Sequence, residues 1–164
     1  MSACFAKRAL SGADDSIPVF SLKGYEGYAK ITSVYDGDTF NAVIKLHGRV
    51  IKFKFRTLGY DAPEVVPRLN VYNRSDHIYN AKLARDMLKH ECDFDDRVYY
   101  KRWNPFICNN KVNGLIWVVC DKNDKYGRTL VTVYKSKWAK KSVNDIMLES
   151  GIVNPYDGGK KVNS

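Results

Sequence analysis

The sequence predicts an α+β fold dominated by β: a small closed barrel of five strands with about two helices packed on it. Three observations lead there. Three β-rich segments follow one another between residues 28 and 58, separated by short turn signals. Two more apolar segments, 115–120 and 130–134, flank another turn. Helix-periodic segments follow the third and the fifth of these strands.

Residues 1–24 are small and polar with scattered Phe5, Ile17, Val19 and Phe20, and read as an extension lying along the domain. Tyr28 to Tyr35 is the first strand, with β-branched Ile31, Thr32 and Val34. Asp36-Gly37 signals a hairpin into the second strand, Thr39 to Lys45. Leu46-His47-Gly48 turns the chain into the third, Arg49 to Leu58. Residues 65–73 are loop, with Pro67 in it. Ser75 is placed to cap a helix from about Asp76 to Glu91, which turns Ala81, Ala84, Leu88 and Cys92 to one face beside Met87. Residues 93–113 form an irregular insertion, compatible with a short strand pair or an exposed loop. Leu115 to Cys120 is apolar throughout and reads as a central strand, with the alternating Leu130 to Tyr134 as its neighbour. Ser142 caps a last helix, Asp145 completes a capping box, and Gly151 ends it. Val143, Ile146 and Met147 are its expected buried residues. This order fits an OB-fold barrel over residues 25–157, followed by a basic tail at 158–164.

A chain of 164 residues is expected to form one domain with a real core. Lys+Arg 27 against Asp+Glu 18 leaves a net charge of +9, which favours an anionic partner, either nucleic acid or an acidic membrane surface. The membrane reading lacks an amphipathic basic helix and any apolar run of spanning length. Met1 to Leu10 has no hydrophobic segment of a secretory signal. Cys4, Cys92, Cys108 and Cys120 show no zinc-ligand spacing and read as four reduced thiols. An intracellular, reducing location is therefore the expectation.

Chemistry concentrates in three turns. Arg56, Asp61 and Glu64 lie within nine residues at the end of the third strand. Arginine offers a planar fork suited to phosphate, and the carboxylates can hold a hard cation or accept a proton. Asp38 follows the first hairpin turn and starts the strand beside Arg56. Lys125, Tyr126 and Arg128 occupy the turn before the fifth strand. Each stretch alone reads more readily as a surface turn. Together they supply what a metal-dependent phosphodiesterase needs: a cation on a phosphoryl oxygen, a carboxylate to activate water, and guanidinium groups against the developing charge. No Ser/His or Cys/His pairing suggests another nucleophile, and His47, His77 and His90 have no assigned role.

DGDTF at 36–40, FRTLGYDAPE at 55–64 and DKYGRTL at 124–130 resemble the three hallmark motifs of the staphylococcal nuclease (thermonuclease) family, in order and with fitting spacing. The resemblance runs from about Tyr28 to Ile152 and is interrupted at 93–113. It implies an OB-fold barrel and calcium-dependent cleavage of DNA and RNA, with one calcium ion per site. It further implies Asp38 and Asp61 as metal ligands, joined by the carbonyl of Ala62, where the family's prototype has threonine. Glu64 corresponds to the candidate base, and Arg56 and Arg128 to the residues that bind the scissile phosphate. Lys125 and Tyr126 are expected substrate contacts, with Lys135, Lys137, Lys140, Lys141, Lys160 and Lys161 as further cations.

Three departures from the family stand out. The 93–113 stretch is longer than the usual link, and the last long helix is absent. The nucleotide-stacking tyrosine corresponds by count to Asp157, with Tyr156 one residue away. The flank left by the missing helix is expected to be covered by Ile17, Val19 and Phe20 or by Trp103, Phe106 and Ile107, or else to support a dimer. The alternative to an enzyme is a nucleic-acid-binding or interaction module on the same barrel.

Overall fold

The computed structural model describes residues 3–67, 69, 72–96 and 113–157, of which residues 3–5 and 9 are described in backbone only. In chain order the elements are α1 (Ala3–Leu10), β1 (Glu26–Val34), β2 (Thr39–Leu46), β3 (Arg49–Thr57), β4 (Tyr60–Asp61), α2 (Arg74–Glu91), β5 (Leu115–Asn123), β6 (Thr129–Tyr134), α3 (Val143–Glu149) and β7 (Asn154–Pro155). Five of the strands close into a barrel in the order β1-β2-β3-β6-β5, the mainly-β OB arrangement expected. The β3–β6 pairing is parallel and the others are antiparallel.

Period-two alternation sets the core. Thr129, Val131 and Val133 of β6 and Ile116, Val118 and Cys120 of β5 point inward, meeting Ala29 and Ile31 of β1. Phe40 and Phe55 close the opposite wall with ring centroids 5.6 Å apart. Two turns show their glycines at work. His47 and Gly48 both have positive φ, 48° and 78°, giving the two-residue connection that matches strand twist. Gly37 is needed for a different reason: a Cβ there would lie 2.7 Å from Cβ of Ala84 in α2 and 2.9 Å from that of Ala62. The first hairpin turn is thus pressed against the helix.

α2 buries Ala81, Ala84 and Leu88, and Cys92 follows on the same face, as the periodicity predicts. Its start differs. Asn73, in the left-handed region, is the N-cap, and its carbonyl accepts from the amides of Asp76 and His77 at 2.9 and 3.2 Å. Ser75 lies inside the first turn and does not cap. α3 carries the expected capping box between Ser142 and Asp145. Its third buried residue is Asn144 rather than Ile146, which is half-buried.

The N-terminal extension contains a helix, α1, that its composition did not suggest. Its last residues join the barrel. Leu22 enters the core, Gly24 donates to the Cys120 carbonyl at 2.9 Å, and the Phe20 ring stacks 6.2 Å from that of Phe53. Of the three apolar residues expected to help cover the barrel flank, Phe20 makes this contact, while Ile17 and Val19 are exposed. Trp103, Phe106, Ile107 and Cys108, with Lys160 and Lys161, lie outside the described residues. Cys92 and Cys120 are buried free thiols, with burial pushing both up to about 12. Among the described residues no helix is long and apolar enough to cross a membrane.

Candidate active site

β2 and β3 run antiparallel with Thr39 opposite Arg56, so Asp38 arrives beside the arginine one strand over. The turn after β3 then brings β4 back, and Asp61 reaches the same guanidinium. Arg56 Nη1 lies 2.8 Å from Asp38 Oδ2, and Nη2 lies 2.5 Å from Asp61 Oδ1. All three side chains are largely buried. Burial opposes the charge on Arg56, yet the carboxylates of Asp38 and Asp61 hold its pKa above the ordinary value.

Asp38 is held on every side. Thr39 Oγ1 donates to its Oδ1 at 2.7 Å, and the Ala62 amide donates to its Oδ2 at 3.3 Å. Behind it the Thr57 amide donates to the Asp38 carbonyl at 2.9 Å, and the Tyr60 hydroxyl donates to the Gly37 carbonyl at 2.8 Å. Tyr60 is completely buried, and that burial pushes its hydroxyl pKa upward. The backbone at 37–38 is therefore fixed to the strand that carries Arg56.

The β5–β6 hairpin supplies the opposite wall. One oxygen of Asp124 accepts from the amides of Tyr126 and Arg128 at 2.8 and 2.9 Å, and the other accepts from Arg128 Nε at 2.7 Å. Burial raises the Asp124 pKa, but the hydrogen bonds from Arg128 and Tyr126 outweigh it, leaving the group below the ordinary carboxylate value. Arg128 Nη1 donates to Thr39 Oγ1 at 3.2 Å. The Thr39 hydroxyl thus links Arg128 to Asp38. Tyr126 is exposed, with Arg128 Cζ 5.4 Å and Lys125 Nζ 5.1 Å from its ring centroid.

These groups line one open cleft of about 1720 Å³, together with Glu64, which is exposed, and Ala62. All eight residues singled out from the sequence, Asp38, Arg56, Asp61, Ala62, Glu64, Lys125, Tyr126 and Arg128, line it. A smaller cavity of about 360 Å³ beside His90 and Phe94 gathers none of the three motifs. Among the described residues no three His, Cys, Asp or Glu side chains converge on a metal-sized site. The carboxylates of Asp38 and Asp61 both meet Arg56.

Four residues in or beside the cleft had no role assigned from the sequence. Thr39 and Asp124 are described above; the threonine reads as a strand former and the aspartate as a turn residue whose oxygens bond its own hairpin. Asp36 accepts from the Val65 amide at 3.3 Å, tying the segment after Glu64 to the first hairpin. Burial raises its pKa, with the nearby Asp38 and Glu64 charges adding to the effect. Tyr156 is the fourth. The β4–β7 ladder pairs Tyr60 with Pro155, and the Tyr156 amide donates to the Gly59 carbonyl at 2.9 Å. This brings its ring under Arg56, 5.7 Å from centroid to Cζ.

The model of the staphylococcal nuclease homologue family matches residues 54–163. The chain belongs to that family. The match begins within β3, so the second and third motifs lie inside it and the DGDTF motif precedes it. No curated protein matches the sequence. Membership in the staphylococcal nuclease homologues carries a nuclease or nucleic-acid-related function. The barrel, the cleft at its rim and the three motifs meeting there are the structural side of that assignment.

Proposed function

We propose that the protein is a calcium-dependent endonuclease that hydrolyses phosphodiester bonds of DNA and RNA with little sequence preference. One observation carries the reading: two carboxylates and two arginines from three separate motifs line a single open cleft, with Arg56 bridging Asp38 and Asp61. A structural ion pair would not require the second arginine, nor the exposed carboxylate of Glu64 beside it.

The donor chemistry suits a hard cation. Asp38, Asp61 and the Ala62 carbonyl would hold it, all through oxygen, and so few protein ligands suit an open, water-rich calcium site. When bound, the ion supplies Lewis-acid polarisation of a phosphoryl oxygen. The chain's own residues do the rest. Glu64, exposed at the mouth, accepts the proton of the water that attacks phosphorus as the P–O bond breaks. Arg56 and Arg128 neutralise the charge gathering on the non-bridging oxygens. Thr39 and Asp124 orient Arg128, so the guanidinium does not have to be ordered during the reaction.

Phosphate contacts of this kind carry no base information. Tyr126 adds a ring on which any base or sugar can rest. A turn-built site, with no groove-reading helix among the described residues that line it, favours flexible or frayed strands over stiff duplex. Initial rates on single-stranded DNA, duplex and RNA across a salt series test this. The expected result is cleavage of both single strands, with binding that weakens by a log–log slope of about −0.7 per contacted phosphate. Sharp sequence specificity, or binding indifferent to salt, would overturn it.

A further inference from the structure

A second group of aromatic and basic residues lies on the outside of the barrel, away from the cleft. Tyr28 of β1 is opposite Trp117 of β5, which is opposite Tyr134 of β6, so three aromatic side chains form one row across three strands. The neighbours of each along its strand point inward, which turns the row outward. Tyr28 and Trp117 meet edge to face at 5.1 Å. Beyond the end of β6, Lys137 places its Nζ 5.5 Å from the Trp117 ring centroid and 5.2 Å from that of Trp138. Trp138 is 82% exposed.

Such a group is costly to leave in water if it serves only the fold. Trp138 is not part of the core, and an indole this exposed beside further aromatic rings is uncommon on a domain surface without a partner. The ammonium of Lys137 between two indoles is a positive charge in a fixed place, next to a ring with open faces. Lys30, exposed two residues along from Tyr28 on the same face, adds a second cation; Glu26, two residues the other way, is the one opposing charge on that strand. Rings and cations interleaved on an OB-type barrel are what a flexible polyanion with stackable groups requires. A protein partner would need the cations matched by acidic residues, whereas the chain's net charge of +9 favours an anion throughout.

We infer that this outer face, centred on Trp138, Lys137 and Tyr28, is an accessory binding site for single-stranded nucleic acid, separate from the cleft. A base stacks on Trp138 and the adjoining phosphate lies on Lys137. The two sites stand well apart. From Trp117 to Asn123, where the hairpin carrying Arg128 begins, six residues of strand span about 20 Å. A strand long enough to reach both sites is held at two points, while a dinucleotide engages only the cleft. The inference goes beyond the proposed activity and does not need it, since binding at this face requires neither metal nor cleavage.

The test is fluorescence anisotropy of labelled oligothymidylate, about 16 nucleotides long, with the full chain in excess chelator so that no cleavage intervenes. Trp138→Ala is expected to weaken binding by about 5- to 100-fold, and Trp138→Phe to restore most of it. Lys137→Gln should weaken binding and flatten its salt dependence. Cleavage of a dinucleotide substrate with calcium should be unchanged in Trp138→Ala, which separates this site from the catalytic reading. Because Trp138 is exposed, its replacement leaves the thermal midpoint unchanged. Wild-type affinity in both Trp138→Ala and Lys137→Gln would overturn the inference. So would a wild-type protein that self-associates through this face, seen as a light-scattering mass that falls to the monomer in Trp138→Ala while oligonucleotide affinity stays the same.

Discussion

Arg56 Nη1 lies 2.8 Å from Asp38 Oδ2, so the side chain suited to a phosphate is held against a carboxylate suited to a cation. Neither is free to move: Asp38 is also fixed by Thr39 and Ala62, and Arg56 by Asp61. Arg56→Lys should therefore keep the fold, because a cation still faces the two carboxylates, yet lose the bidentate fork. Turnover is expected to fall by about 10²–10³-fold, the usual cost of one transition-state donor. Arg56→Ala should in addition destabilise the protein by about 3 kcal/mol, because it strands a buried carboxylate. Urea midpoints and single-turnover rates on both variants check this. Near-normal turnover in Arg56→Lys would reduce the residue to a structural ion pair.

Glu64→Gln separates proton transfer from binding. The amide keeps the shape but cannot take the proton, so kcat should fall by about 10²–10⁴-fold with KM little changed. Steady-state kinetics on a single-stranded substrate give both numbers. A rise in KM with unchanged kcat would make Glu64 a binding residue.

The β5–β6 hairpin should be sensitive to acid. Asp124 has its pKa below the ordinary 3.8, because hydrogen bonds from Arg128 and Tyr126 outweigh the burial that opposes them. A carboxylate depressed in the folded state contributes stability that is complete above the unfolded value and is lost as pH falls through the folded one. Asp124→Asn should thus lower the urea midpoint at pH 7, with the gap to wild type narrowing as pH falls below about 3.8. A gap independent of pH would mean that the charge on Asp124 contributes nothing.

Asn144 closes the barrel where β3 and β6 run parallel. Its Oδ1 accepts from the Val133 amide at 2.9 Å, and its Nδ2 donates to the Leu58 and Val131 carbonyls at 2.8 and 3.1 Å. Asn144→Leu removes the side-chain partner of the Val133 amide and the Leu58 carbonyl in the interior, while the Val131 carbonyl keeps the Leu58 amide at 2.9 Å. Stability should drop by about 2–4 kcal/mol, from more than one unsatisfied group. Because Leu58 precedes the turn to Asp61, activity should fall further than the loss of folded protein explains. Denaturant midpoints combined with rates per folded molecule make the comparison.

The barrel was legible because its strands alternate and its turns carry strong local chemistry. Thr129, Val131 and Val133 declare their inward face by period alone. The cleft was legible because its residues cluster within short motifs. What escaped depends on long-range contact. Asn144 reads as an ordinary polar helix residue until two strands present their backbone groups to it. Gly37 suggests a turn, while its lack of a side chain matters for the approach of Ala84. Ser75 has the right chemistry for a cap, but the left-handed backbone at Asn73 starts the helix earlier. The β4–β7 ladder is two residues long, too short for any periodicity, yet it is what brings Tyr156 to Arg56. The α1 helix has no counterpart in the reading of residues 1–24 as an extension lying along the domain.

The most direct measurement is nicking of supercoiled plasmid by the purified chain with calcium and then with excess chelator, with far-ultraviolet circular dichroism recorded in both. Cleavage should require calcium, stop on chelation, and be absent from Asp38→Asn at matched fold. The dichroism spectrum should not change, because the barrel core of Phe40, Phe55 and Val131 makes no use of the ion. Undiminished cleavage in chelator, or by Asp38→Asn, would contradict a calcium-dependent nuclease at this cleft.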